Sequence, residues 1–276
     1  VFTRSIPLSA LSLAFLRALI ALPVLFAALK MKNTEKVEWR LLKPYIISGS
    51  ILGFGWLTLF YGYKHTSISS TVILYNMCPV YVMIAAPLLL KEAISKIQIA
   101  VVFFSFLGLV LIVGQNLSEG YGYLGMALSA VSGMLYATII LINRSIKSRV
   151  DNQTGTFVQI SAAMIVLLPF VLAEGDISTI RDLDAAAVIY TILLGVLHTG
   201  IVYTIFFSLT TQMRSVEIVL YSYLEPLFGI LFSVIFIGEK LTVLQIIGGT
   251  LILGSTFIGE ILKNKKKPAL PSAMQT

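Results

Sequence analysis

Nine apolar runs of membrane length follow one another along this chain, at about 8–29, 41–63, 67–90, 97–114, 122–142, 154–173, 185–208, 215–238 and 243–262. A helix crosses the hydrocarbon core of a bilayer with about 20 apolar residues. The links between runs are short and polar and hold turn or stop residues, as in Asn116-Leu117-Ser118-Glu119-Gly120 and Glu174-Gly175-Asp176. Hydrophobic residues make up 57% of the chain and charged residues 12%, about half the charge of an ordinary soluble domain. The fold class that follows is an all-α polytopic membrane protein with nine transmembrane helices.

The net charge of +7 is no signal for nucleic acid. Fifteen of the 20 Lys and Arg lie in alternate loops that fall on one side of the membrane. The opposite loops hold Arg4, Lys64, Arg181 and Lys240, and Arg17 lies within a run. The positive-inside rule then places the Lys-rich tail in the cytoplasm and residue 1 outside. The single cysteine, Cys78, excludes an intrachain disulfide and a cysteine-based metal site, and His65 and His198 are far apart in sequence. No cofactor or metal is expected.

An internal repeat runs through the chain. Offset by 147 residues, Gly53 falls on Gly200, Pro79 on Pro226, Glu92 on Glu239, Ser95 on Thr242 and Gln98 on Gln245. Apolar runs overlay between these anchors, and the Lys and Arg distribution sets equivalent loops on opposite sides. That combination is an inverted-topology repeat. The second half has five runs and the first four; the unmatched run is 122–142, and Arg144-Ser145-Ile146 beyond it echoes Arg4-Ser5-Ile6. A first helix is therefore expected ahead of Val1 in the intact protein, giving ten helices with both termini cytoplasmic. The expected division is a first repeat over 1–118, an inverted second repeat over 119–262 and a basic cytoplasmic tail over 263–276.

Several short stretches carry a family likeness: Leu13-Ala14-Phe15-Leu16-Arg17-Ala18-Leu19, Lys91-Glu92, Leu135-Tyr136-Ala137, Tyr223-Leu224-Glu225-Pro226 and Gly238-Glu239-Lys240-Leu241-Thr242. With the five-plus-five layout, these resemble the drug/metabolite transporter superfamily, specifically its EamA-type ten-helix members. The resemblance spans the whole chain. It implies alternating-access transport of small solutes, often export of amino acids or other metabolites, through a cavity between the halves. It implies multi-pass residence in a cell membrane, most simply the cytoplasmic membrane of a prokaryote, and peripheral positions for helices 97–114 and 243–262.

Glu225 is the first candidate for the solute cavity. A carboxylate in the middle of a membrane-length helix costs roughly 2.5–3.5 kcal/mol on insertion scales and ordinarily faces a partner or a wet cavity. Its face of the helix holds Glu217, Tyr221, Ser222, Phe228 and Gly229. Desolvation makes protonation part of its chemistry, so Glu225 is also the candidate for proton coupling, with His198 as a second relay group. The alternative is a hydrogen bond to a neighbouring helix or to backbone freed by Pro226. Its repeat equivalent is Cys78, so the halves diverge here.

The remaining cavity candidates are Tyr221, Tyr75, Asn76, His198, Trp56 and Tyr136, with Phe60, Tyr63 and Tyr203 as further aromatic wall. Asn76 and His198 equally suit interhelical hydrogen bonding. Arg17 suits helix anchoring or an anionic group. Glu92 and Glu239 suit structural roles at helix ends, and Pro79 and Pro226 suit helix kinks. Gly125, Ser129, Gly133 and Ala137 form a small-residue stripe for close helix packing.

The function expected is a secondary transporter of a small metabolite, with the bilayer and a solute as partners and monomer or homodimer left open. An intramembrane enzyme is the alternative, and neither G-x-S-x-G nor H-E-x-x-H occurs to support it. A channel or structural membrane protein is the third reading.

Overall fold

The computed structural model describes residues 8–31, 38–114, 122–146, 150–174, 183–225, 228, 234–235 and 242–265. Among them are helices and no strand: α1 (Ala10–Met31), α2 (Trp39–His65), α3 (Ile68–Tyr75), α4 (Cys78–Leu90), α5 (Lys96–Val113), α6 (Tyr123–Ile146), α7 (Asn152–Glu174), α8 (Ala185–Leu193), a π-helical segment (Leu194–Val202), α9 (Tyr203–Gln212), α10 (Ser215–Ser222) and α11 (Val243–Lys265). Among the described residues, six helical stretches are long and apolar enough to cross a membrane, including Ser70–Leu90 and Ala185–Gln212. The chain is an all-α polytopic membrane protein.

α2 is the central element, and its small residues explain why. A Cβ on Gly49 would stand 2.3 Å from the Gln159 carbonyl oxygen of α7, one on Gly53 2.8 Å from that of Ala163, and one on Gly62 2.5 Å from Ser129 Oγ of α6. Lipid offers no hydrophobic drive between helices, so contact this close is how membrane helices gain packing energy. The stripe on α6 has the same use. Gly125 abuts the backbone of His65 and Thr66, Gly133 abuts carbonyls of Leu74 and Tyr75, and Ala137 is buried beside Cys78.

Two departures from simple helices matter. The run 67–90 is interrupted at Asn76 and Met77, so α3 and α4 are separate helices. The Asn76 amide donates back to the Val72 carbonyl at 2.8 Å, and Pro79 sits in the first turn of α4, where its missing N–H is no loss. The eighth run breaks at the equivalent place, α10 ending at Ser222 with Tyr223 in a turn. The two interruptions meet: the Tyr223 hydroxyl donates to the Asn76 carbonyl at 3.4 Å. Farther along, Ser95 with Gln98 and Thr242 with Gln245 form matching capping boxes at the starts of α5 and α11. Pro226, Gly229 and Glu239 lie outside the described residues.

Candidate functional site

α9 begins Tyr203-Thr-Ile-Phe206-Phe207, so three rings fall at positions i, i+3 and i+4 and share one face. From that face a seam of rings runs through the helices in both directions. Tyr75 of α3 stacks on Tyr136 of α6 at 5.5 Å between centroids, and Tyr136 stacks on Phe206 at 5.9 Å. Phe206 meets Phe207 at 5.8 Å, and Phe207 meets Tyr203 edge-on at 5.4 Å. Tyr203 then meets Trp56 of α2 edge-on at 5.8 Å and His198 of the π segment at 5.9 Å. Offset and edge-on pairs at such separations each add about 0.5–1.5 kcal/mol beyond burial.

Two charges adjoin the seam. The Arg17 guanidinium of α1 lies over the Trp56 ring, 5.9 Å from its centroid. Glu225, beyond the interruption that follows α10, is within electrostatic reach of Tyr63, Tyr75, Tyr136 and Tyr203. Tyr203 feels both charges. Thus five helices and the π segment contribute to one region. The π segment, where Thr199 Oγ1 donates to the Leu194 carbonyl at 3.3 Å, is the kind of local distortion that concentrates at functional sites. It turns His198 toward Tyr203.

The structure therefore gathers Trp56, Tyr75, Tyr136, His198 and Glu225 around one seam, with Tyr63, Tyr203 and Arg17. Asn76 stands at its edge with its side-chain amide committed to the helix interruption. Tyr221 is exposed on α10. Phe60 is packed in the core between α1, α2, α7 and α9. Phe206 and Phe207 join the seam beyond the sequence candidates, and the Tyr-x-x-Phe-Phe spacing is the signal that marks them. A groove of about 390 Å³ between α4 and α6 is lined by apolar side chains such as Ile84, Leu89 and Met134 and contains none of the candidates.

Glu92 belongs to a different cluster, at the opposite end of α4 from the seam. It accepts from Arg144 Nε of α6 at 3.0 Å and from the Ser215 N–H of α10 at 3.1 Å. Arg144 also donates to the Thr211 and Gln212 carbonyls at 3.1 Å, and Arg214 donates to the Ala93 carbonyl. An acid at a helix start and a cation at a helix end are each favoured by the helix dipole.

The model of the EamA-like transporter family matches residues 1–114 and 122–259. An uncharacterized transporter, YxxF, of Bacillus subtilis (strain 168) is 27% identical over 91% of this chain and 81% of its own length. A probable amino-acid metabolite efflux pump of Escherichia coli (strain K12) is 23% identical over 91% of this chain and 85% of its own length. A solved crystal structure superposes with a TM-score of 0.78 at 16% identity, covering 95% of this chain and 91% of that one, a likeness of fold. With both long segments matched, the chain belongs to the EamA-like transporter family and is a multi-pass membrane transporter rather than an enzyme.

Proposed function

We propose that this protein moves a small metabolite, an amino acid or a drug-like solute, out of the cell by alternating access between two inverted repeats. The observation that carries this is the aromatic seam with Arg17 and Glu225 beside it, because it combines apolar wall with polar groups the protein leaves available, as solute sites do. Interruption of both repeats at equivalent positions, 76 and 223, supports the repeat reading, since discontinuous helices at the repeat interface are how such carriers build their sites. The efflux-pump relative supports export of amino-acid metabolites. The basic tail marks the cytoplasmic side, and Glu225 is the group through which a proton gradient drives the cycle.

Proteoliposome flux tests the proposal. A carrier saturates and shows counterflow, and wild-type flux follows an imposed pH gradient. Glu225→Gln is expected to abolish that dependence. Flux that rises linearly with solute and shows no counterflow would mark a channel, and an unchanged pH response in Glu225→Gln would remove the coupling role.

A further inference from the structure

The groove between α4 and α6 lies apart from the aromatic seam, and its shape follows from one face of α6. Met134, Thr138, Leu141 and Ser145 recur every three or four residues and form its floor. Ile84 and Leu89 of the α4 wall are 64% and 69% exposed and Met134 is 48% exposed, so the groove opens sideways, as a lipid-facing surface does. The Thr138 and Ser145 hydroxyls donate to the Met134 and Ile142 carbonyls of their own helix, at 2.9 and 2.7 Å. Apart from Tyr81, the lining side chains therefore hold no free hydrogen-bond donor, and the groove suits hydrocarbon. From Met134 to Ser145 it runs about 16 Å along α6. That is the depth of one leaflet in a bilayer whose hydrocarbon core is about 30 Å thick.

At Ser145 the groove meets a second cavity. This one, of about 200 Å³, lies between the start of α2 and the end of α6 and is lined by Arg40, Leu41, Pro44, Ser145 and Ile146. Ser145 lines both, so the apolar groove runs out at a pocket that holds a permanent cation. Arg40 is exposed and makes no hydrogen bond or ion pair among the described residues. Lys43, one turn farther along α2, and Lys91, directly after Leu90 of the α4 wall, are exposed and equally uncommitted. Arg144 and Arg214 at this end are instead spent on Glu92 and on backbone carbonyls. Glu38, two residues before Arg40, does not line the pocket. Basic pockets between membrane helices, at the level of the lipid headgroups, are where acidic lipids bind.

We propose that groove and pocket together bind one anionic phospholipid, an acyl chain lying between α4 and α6 and the headgroup phosphate on Arg40. A zwitterionic lipid offers the same chains without the net negative charge. Arg40 is thus the residue that sets the preference, and the α6 floor is the part that seats the chain.

The test is native mass spectrometry of the purified full-length protein in detergent, titrated with dioleoyl phosphatidylglycerol or dioleoyl phosphatidylcholine. Wild type is expected to retain one phosphatidylglycerol and to prefer it about fivefold, the effect of one basic residue at an anionic surface. Arg40→Gln is expected to bring the two lipids to parity, and Arg40→Lys to keep most of the preference. Met134→Trp, which fills the groove, is expected to weaken retention of both lipids. Equal retention by wild type, or a preference that Arg40→Gln leaves unchanged, would overturn the headgroup site. Retention indifferent to Met134→Trp would overturn the seat of the acyl chain. A two-chain species that excludes lipid would overturn the proposal in favour of a second copy covering the groove.

Discussion

Gly49 shows what a single residue can decide in this fold. A methyl group there would stand 2.3 Å from the Gln159 carbonyl oxygen, backbone rather than a flexible side chain. Next to Gly49, Ser48 Oγ donates to Asn143 Oδ1 at 3.0 Å, and Gln159 Nε2 donates to both at 2.9 and 2.7 Å. All three are buried, so they bind α2, α6 and α7 together where no water can substitute. Gly49→Ala is therefore expected to destabilise the protein by about 1–3 kcal/mol, read as a lower midpoint in a detergent melt. An unchanged midpoint would mean that α2 and α7 are more loosely seated than this contact requires. None of this triad was picked out from sequence. Ser, Asn and Gln in apolar runs look alike whether they face each other or not.

At the scale of elements, α5 and α11 form a pair held by their own contact. A Cβ on Gly108 would stand 2.5 Å from the Gly248 carbonyl oxygen and one on Gly248 the same distance from that of Gly108, and the hydroxyls of Ser105 and Ser255 are 2.9 Å apart. Among the described residues, no ring of the seam lies on either helix. Cysteines at 105 and 255, in a Cys78→Ser background, are expected to crosslink under mild oxidation and to leave flux intact. Flux lost on crosslinking and regained on reduction would show that the pair moves in the transport cycle. The interrupted helices behave oppositely. α3 with α4, and α8 with the π segment and α9, depart from regular α-helix beside the seam, and the π segment sets His198 against Tyr203.

Across the whole molecule, both ends of the bundle are tied by charge between the two family-matched segments. At one end Glu92 joins Arg144 and the start of α10. At the other, Glu174 of α7 accepts from Ser9 at 2.8 Å and pairs with Lys64. A carrier must loosen one tie at a time. Cys78, the chain's single cysteine, is buried in the cluster between α4, α6 and α10 that leads from the first tie toward the seam. Glu92→Gln removes the negative charge that Arg144 and the start of α10 share. Labelling of Cys78 by a polar maleimide is expected to quicken roughly tenfold, as a shift of about 1.4 kcal/mol in opening would produce. The charge-swapped pair Glu92→Arg with Arg144→Glu slows it again. Equal labelling of wild type and Glu92→Gln would show that this tie does not hold the end closed.

Membrane class, the apolar runs and the family likeness all followed from the chain alone. Hydrophobic length is a local property, and motifs such as Tyr223-Leu224-Glu225-Pro226 are contiguous. Glu225 stood out for the same reason, because an acid inside an apolar run is conspicuous without coordinates. The seam was another matter. Trp56, Tyr75, Tyr136 and Tyr203 come from four elements, 19, 61 and 67 residues apart in turn, and Phe206 and Phe207 read as ordinary core until α9 is placed against α6. Arg17 was legible as a costly charge, whereas its seat over Trp56, with Nε buried and without an acceptor among the described residues, became visible only once the helices were packed. Pairing is a property of two distant side chains, and only the packing of helices against one another decides which of them meet.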